Sequence, residues 1–324
     1  MRALVCEAPG RAALVERPDP VPGPGEVVVE VTAALTCGTD LKLLRRGHPK
    51  VPFPVTLGHE MAGVVVAAGE GSSFAPGVRV TSAVTAPCGA CAKCRAGREN
   101  LCETAFEAPL WGAFAEKVRL SARLVRGAVR RIPEGLSFEV AALLDPLASV
   151  VHGLSRLPDA RGARVLIAGS GPIGLLFFLL LRGKASEITV TGLEPARLAL
   201  FSALGARIEG AEGSFHLVVD TTGDPAYASS LAARVAPGGT LLLFAGMAGG
   251  SHLDIDAFRV HYEEVTVVGS FHYTPADADR ALAVLASGEL PLAPILSGTR
   301  PLALWREAFD EVERGEVMKL VLVP

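Results

Sequence analysis

The chain has 324 residues, which is enough for two domains, since single hydrophobic cores seldom grow beyond roughly 250–300 residues. Half of the residues are hydrophobic, 20% are charged and the formal net charge is −3, so nucleic acid and anionic membranes are not expected partners. The most apolar segment, 173–181, is shorter than the ~20 residues of a membrane span, and the N-terminal apolar stretch is too short for a signal peptide. We therefore expect a soluble, cytoplasmic protein.

The first part of the chain contains short segments with the pattern of β-strands, and glycine- and proline-rich turns separate them. This pattern predicts an irregular, β-rich domain. The predicted strands there are 26–31, 62–66 and 78–80. From about Val140 helices and strands alternate, which predicts a parallel, doubly wound sheet. The predicted elements are helix 141–154 and strands 164–168, 187–191, 216–220, 240–244 and 265–269, followed by helices 277–286 and 304–313 and strand 319–323.

The segment 208–215 is unusually short for its expected place in such a sheet. A parallel crossover normally needs a dozen or more residues, and only about six are free here. We therefore predict that the third strand of this sheet, or the helix after it, is reduced or missing.

Six cysteines occur in the chain, and four of them stand close together as Cys88, Cys91, Cys94 and Cys102. In an intracellular chain such a cluster favours a metal site over disulfides. Four thiolates give a closed tetrahedral zinc site, and a closed site is structural. An iron–sulfur cluster is the alternative metal centre, because spacing alone does not name the metal. Four unrelated reduced cysteines are the other alternative.

A second set of potential ligands is chemically mixed. Cys37 and the Gly58-His59-Glu60 motif lie between predicted strands, and Asp145 lies where the β-rich segment gives way to the α/β segment. Separately, a lone Cys is usually a core residue, and a lone His is more often hydrogen-bonded within the structure. Together they supply the sulfur, nitrogen and oxygen atoms that a catalytic zinc uses. The sequence therefore predicts a second, open zinc site.

A glycine cluster follows the predicted strand 164–168 and precedes a predicted helix. It reads Gly169-Ser170-Gly171-Pro172-Ile173-Gly174 and matches the pattern G-x-G-x-x-G. Its glycines allow a tight turn, close approach of the backbone to a pyrophosphate and close packing of helix on strand, and the helix N-terminus then faces the ligand's negative charge. The strand–turn–helix context predicts a dinucleotide site.

These motifs, in this order and spacing, resemble the zinc-containing medium-chain alcohol and polyol dehydrogenases, such as sorbitol and threonine dehydrogenases, over nearly the whole chain. Further matching segments are 22–27, 38–40, 97–102, 112–116 and 145–147. The resemblance implies a GroES-like catalytic domain and a Rossmann domain. It also implies hydride transfer between NAD or NADP and a secondary alcohol, polyol or amino alcohol, with catalytic zinc as a Lewis acid and a second, structural zinc.

The resemblance also assigns roles to single residues. Cys37 and His59 match ligands of the catalytic zinc, and Glu60 matches an acid that ligates the metal in some states. Asp145 takes the place of a further ligand. Thr39 matches the hydroxyl that hydrogen-bonds the substrate oxygen and passes its proton outward.

Two departures from the family pattern concern the proton relay and the cofactor. Lys42 stands where many relatives carry a His that completes the relay, so it either serves there or is a solvated surface lysine. Gly192 replaces the acid that holds the adenosine ribose of NAD. Glu194 is the candidate substitute and would repel a 2′-phosphate, whereas Arg197 is the candidate phosphate partner. On balance these residues favour NAD, with NADP as the alternative.

We therefore predict an α/β chain with a catalytic domain over 1–146, a structural zinc lobe at about 86–103, a Rossmann domain over 147–272 and a return to the catalytic domain over 273–324. The expected partners are a small-molecule alcohol or ketone and further copies of the chain, as a homodimer or homotetramer. Two alternatives stay open. One is a zinc-free quinone or enoyl reductase of the same superfamily, against which the cysteines argue, and the other is a non-catalytic nucleotide-sensing or scaffold protein.

Overall fold

The computed structural model describes residues 1–47, 51–208 and 213–324. The chain divides into two compact units. Unit 1 contains Met1–Ala148 and Tyr273–Pro324, and unit 2 contains Ser149–His272. Over the described ranges, no helix is both long enough and apolar enough to cross a membrane.

The N-terminal part of unit 1 consists of short strands and short helices. Its strands are β1 (Arg2–Ala8), β2 (Arg11–Glu16), β3 (Val27–Leu35), β4 (Val55–Thr56), β5 (Met61–Ala68), β6 (Arg79–Ser82), β7 (Lys117–Leu120) and β8 (Val129–Arg131). Its helices are α1 (Gly38–Arg46), α2 (Ala92–Arg95), α3 (Ala122–Gly127), α4 (Phe138–Ala141) and α5 (Leu144–Ser155), the last of which continues into unit 2.

The helix predicted over 141–154 is confirmed as α5, but it begins three residues later, because α4 ends at Ala141 and α5 begins at Leu144. The break has a local cause. Pro146 has no N–H to donate to the carbonyl four residues earlier, and proline is tolerated only in the first turn of a helix. The helix therefore restarts just before Pro146, and this places Asp145 in the first turn of α5.

Unit 2 alternates strands with helices. Its strands are β9 (Arg164–Ala168), β10 (Glu187–Thr191), β11 (Arg207–Ile208), β12 (Phe215–Asp220), β13 (Val235–Leu243) and β14 (Thr266–Gly269), and its helices are α6 (Pro172–Leu181), α7 (Pro195–Ala203), α8 (Pro225–Ala232) and α9 (Ala257–Tyr262). Within the described part of unit 2, the strands form one parallel sheet in the order β11-β10-β9-β12-β13-β14. This is the doubly wound sheet that the sequence predicts.

The strand β9 and the helix α6 are both apolar and both buried. Central strands of a parallel sheet are covered on both faces, so they read as continuous apolar runs. Val165, Leu166 and Ile167 of β9 are fully buried. Helix α6 is apolar around most of its circumference and is almost entirely buried, and it confirms the helix predicted after the glycine cluster.

The third strand of the sheet, β11, is short in the described part of the chain. Its described residues are Arg207 and Ile208, and it lies at the edge of the sheet beside β10. The predicted loss of the helix that follows concerns residues 209–212, which lie outside the described residues.

After unit 2 the chain returns to unit 1 with α10 (Pro275–Ser287), β15 (Leu296–Pro301), α11 (Trp305–Glu313) and β16 (Lys319–Val323). As far as the structure describes unit 1, its larger sheet follows the path β15-β16-β3-β5-β6-β8, with β7 paired to β3. A smaller sheet has the order β2-β1-β4. The neighbouring strands β16, β3, β5 and β6 position the site described next.

Candidate metal centres and dinucleotide site

Antiparallel pairing brings the predicted ligands of unit 1 to one edge of its larger sheet. Ala34 of β3 faces Met61 of β5, and Met61 faces Ser82 of β6. On the other side of β3, Leu35 faces Val321 of β16. Residues that follow β3 and β6, or that precede β5 and begin β16, therefore lie at the same edge.

His59 lies at the centre of this edge. Its ligand atom lies within 4.8 Å of those of Cys37 and Asp40 in one group, and of Glu60 and Asp145 in a second group. The predicted residues Cys37, Glu60 and Asp145 thus converge on His59, although they come from three separate segments of the chain.

Asp40 joins the cluster without having been predicted as a site residue. It is fully buried in the first turn of α1. Its Oδ1 lies 3.4 Å from Nδ1 of His59 and accepts the N–H of Gly58 at 3.0 Å. Because a metal-binding His usually directs its other ring nitrogen at a carboxylate or carbonyl, this contact makes Nε2 of His59 the atom available to a metal. The acid three positions after Cys37 was the available sequence signal.

Glu60 is paired with Lys319, a second residue that the sequence analysis missed. The Nζ of Lys319 donates to both Glu60 carboxylate oxygens at 2.8 and 2.6 Å, and to the carbonyl of Thr36 at 2.9 Å. In the part of the chain that the structure describes, Lys319 is the one buried lysine or arginine. The only sequence signal was the position of this lysine at the start of the apolar run Lys319–Val323. A lysine that is buried in such a strand needs a carboxylate partner.

The cluster carries more negative than positive charge. Burial alone would lower the pKa of His59, but the negative charges of Asp40 and Cys37 raise that pKa well above its ordinary value. Burial raises the pKa of Glu60, and the nearby charges of Lys319 and His59 oppose that rise. This electrostatic environment favours an additional cation, and the combination of sulfur, nitrogen and oxygen atoms fits zinc.

The remaining residues predicted for this site differ in position. Thr39 and Lys42 are both exposed on α1. The N–H of Thr39 points at Sγ of Cys37 at 3.5 Å, so Thr39 is adjacent to the cluster. Lys42 is exposed, as expected for a solvated surface lysine. Trp111 adds an apolar wall, since its ring lies edge-on to His59 with 5.1 Å between the ring centroids.

The four clustered cysteines form a compact site of their own. The Sγ atoms of Cys88, Cys91, Cys94 and Cys102 all lie within 4.8 Å of one another, and none of the six cysteines forms a disulfide. Sγ of Cys88 and Cys94 are 3.9 Å apart. Two sulfurs bound to a tetrahedral zinc at about 2.3 Å would be about 3.8 Å apart. The geometry fits a closed zinc site.

Backbone and side-chain donors surround these sulfurs. The N–H of Cys91 points at Sγ of Cys88 at 3.3 Å, and that of Cys88 points at Sγ of Cys102 at 3.2 Å. The N–H groups of Ala90 and Cys91 lower the pKa of Cys88 to about 6. Arg123, which the sequence analysis missed, approaches Sγ of Cys102 with Nη2 at 3.6 Å. These donors offset part of the charge that four thiolates would carry.

In unit 2, the glycines of the turn before α6 have three different environments. Gly169 has a φ of 115°, in the region that favours glycine. A Cβ on Gly174 would lie 2.1 Å from the carbonyl oxygen of Gly169, so this position requires glycine for close helix–strand packing. A Cβ on Gly171 would meet no described atom within 4 Å. The turn is therefore packed at Gly169 and Gly174 and open at Gly171, as a pyrophosphate site requires.

Glu194 lies back over this turn. Its Oε2 accepts a hydrogen bond from Oγ of the buried Ser170 at 3.0 Å. A Cβ at Gly192 would lie 2.1 Å from Oγ and 2.6 Å from Cβ of Ser170. Gly192 therefore removes the usual ribose-binding acid and at the same time allows the close approach that holds Glu194 at the turn.

Arg197 lies one helical turn further along, in α7, and is half-buried. Burial lowers the pKa of its guanidinium, and the nearby charge of Glu194 opposes that shift. Both residues considered for the cofactor's ribose are therefore close enough to influence each other.

The comparisons with known proteins agree with this architecture. The family described as the alcohol dehydrogenase GroES-like domain matches residues 23–130. A D-altritol 5-dehydrogenase from Agrobacterium fabrum is 34% identical, over 94% of this chain and 93% of its own length. An L-threonine 3-dehydrogenase from Saccharopolyspora erythraea is 32% identical, over 99% of this chain and 98% of its own length.

The fold is also shared with solved structures. A protein from Sinorhizobium meliloti 1021 that is assigned as a zinc-binding dehydrogenase, crystallised with bound NADP, superposes with a TM-score of 0.89 at 30% identity and covers 100% of this chain and 99% of its own. The chain therefore belongs to the zinc-containing medium-chain alcohol and polyol dehydrogenase family, and it is an NAD(P)-dependent alcohol oxidoreductase.

The cysteine cluster predicts how its loss would affect stability. We expect Cys91→Ala to remove about one zinc ion per chain and to lower the Tm by about 5 °C or more, because closed zinc sites contribute directly to folding free energy. Elemental analysis and thermal unfolding measure the two effects. The matched control is Cys6→Ala, which changes a buried thiol outside the cluster and should leave the zinc content unchanged. Full zinc content in Cys91→Ala would contradict the assignment.

Proposed function

We propose that the cluster around His59 holds the catalytic zinc and that the protein oxidises a secondary alcohol, of polyol or amino-alcohol type, with NAD. The observation that carries this proposal is that Cys37 lies near His59 in one group of ligand atoms and that Glu60 and Asp145 lie near His59 in a second group, with excess negative charge around the imidazole. In this proposal Cys37, His59 and Asp145 are ligands, and Glu60 is the acid beside the metal. The four cysteines 88, 91, 94 and 102 hold a second, structural zinc.

Each residue of the cluster then has a separate task. When bound, zinc supplies the Lewis acidity that makes a substrate hydroxyl more acidic, and NAD accepts the hydride. Oδ1 of Asp40 lies 3.4 Å from Nδ1 of His59, and its negative charge favours the orientation in which Nε2 is available to the metal. Lys319 holds both oxygens of Glu60 and neutralises its charge. In this proposal Thr39, exposed beside Cys37, accepts the hydrogen bond of the substrate hydroxyl and passes the proton outward by donating its own hydroxyl proton to water.

The substrate class is supported by the relatives. The two curated relatives are named for altritol and threonine, and both of those compounds are oxidised at a secondary alcohol according to the enzyme names. The wall formed by Trp111 beside His59 gives the carbon chain of such a substrate an apolar surface. A cytoplasmic location and a homodimeric or homotetrameric state remain predictions from the sequence.

The catalytic assignment predicts a clear separation of activity from cofactor binding. With a panel of polyols, amino alcohols and simple secondary alcohols, the wild type should produce reduced nicotinamide, measured by its absorbance. Cys37→Ala should lower the rate at least about a hundredfold, because a lost ligand weakens the metal more than a lost outer contact does. NADH affinity, measured by fluorescence, should stay largely unchanged. Near-normal turnover in Cys37→Ala would refute the ligand assignment.

The cofactor preference is assigned to Glu194. One charge contact near the surface is worth at most about 1 kcal/mol, so we expect the wild type to bind NADH up to about fivefold more tightly than NADPH. Glu194→Ala should remove most of this difference, measured as two dissociation constants. Glu187→Ala, the same change at the opposite end of β10, is the control. Tighter NADPH binding in the wild type, or an unchanged ratio in Glu194→Ala, would exclude Glu194 and favour Arg197.

A further inference from the structure

Tyr273 contacts Asp145 and is the first residue of the chain segment that returns to unit 1 after unit 2. Its side chain is buried, and its Oη donates a hydrogen bond to Oδ1 of Asp145. The N–H of Val84 lies 2.8 Å from the same Oη and 3.1 Å from the same Oδ1. Phenol, carboxylate and backbone N–H therefore form a closed triangle of contacts.

The direction of each hydrogen bond follows from the available protons. The N–H of Val84 is a donor only, and an ionised carboxylate is an acceptor only. The phenol of Tyr273 accepts from Val84, so its own proton is directed at Asp145. Oδ1 of Asp145 thus receives the phenol proton and shares the single N–H of Val84 with Oη of Tyr273, and these contacts restrict the rotation of the carboxylate about its Cβ–Cγ bond.

The backbone on both sides of Tyr273 is held in place. The preceding residue, His272, has a φ of 58°, a left-handed conformation that non-glycine residues adopt only where the surroundings require it. The following residue, Thr274, forms a capping box with Asp277 at the start of α10. The N–H of Thr274 donates to Oδ2 of Asp277 at 2.9 Å, and that of Asp277 donates to Oγ1 of Thr274 at 3.2 Å. Tyr273 therefore lies between two locally constrained backbone positions.

We propose that Tyr273 is a positioning residue for the catalytic zinc: together with the N–H of Val84 it holds Oδ1 of Asp145 and so orients this carboxylate toward the cluster around His59. The proposal rests on the ligand role given to Asp145 in the proposed function. Outer contacts of this kind typically change metal affinity by about 10- to 100-fold when they are removed. Tyr273→Phe deletes the donor and keeps the ring, so the packing of unit 1 should be preserved.

The experiment compares the wild type with Tyr273→Phe as purified zinc proteins. Zinc is withdrawn with increasing dipicolinate, and the metal that remains is measured by elemental analysis. Replacement by Co²⁺ then separates the two sites, since a four-thiolate site and a one-thiolate site have different absorption spectra. The matched control is Tyr227→Phe, which removes a phenol that contacts Oγ1 of Thr191 in unit 2.

Tyr273→Phe should lose one zinc at about 10- to 100-fold lower chelator concentration than the wild type. It should keep the four-thiolate metal and show an altered Co²⁺ spectrum for the other site. Retention equal to that of Tyr227→Phe would overturn the proposal. Loss of both metals together with a lower Tm would also overturn it, since that result indicates a general structural role. A wild type with a single zinc would instead contradict the proposed function itself.

Discussion

The contact between Asp40 and His59 is the interaction on which the proposed zinc site depends. The pairing of β3 with β5 brings the end of one strand beside the start of the other, and this places α1 next to Gly58-His59-Glu60. Asp40 then accepts the N–H of Gly58, and its Oδ1 lies 3.4 Å from Nδ1 of His59. With the imidazole fixed in this way, Cys37 and Asp145 can lie close to it without further adjustment.

Charge balance explains why this edge of the sheet suits a metal. Buried charges are costly unless they are paired. Lys319 balances Glu60, and the surplus of negative charge from Asp40 and Cys37 appears as a raised pKa of His59. Cys94 of the cysteine cluster shows a related effect, because burial raises the pKa of its thiol to about 12. In both places a divalent cation would stabilise the ionised forms, so zinc binding and folding are expected to support each other.

Sequence patterns predicted those features of the fold and the sites that are determined by residues close together in the chain. The spacing of the four cysteines, the glycine turn after β9 and the doubly wound sheet all follow from neighbours in the chain. The residues that were missed depend on pairing over long distances. Lys319 reaches Glu60 only through the β16–β3 pairing, and Tyr273 reaches Asp145 only after the chain returns to unit 1. The contact of Ser170 with Glu194 likewise depends on Gly192, whose missing side chain allows the glycine turn and the segment after β10 to lie close together.

The zinc content of the wild type and of His59→Gln tests the central claim most directly. Glutamine keeps approximately the size of the side chain but loses the imidazole nitrogen available to a metal, whereas the cysteine cluster is untouched. The account predicts about two zinc ions per chain in the wild type and about one in the variant, with the remaining zinc held by four thiolates. An equal zinc content in both proteins would contradict it, because His59 would then not hold a metal.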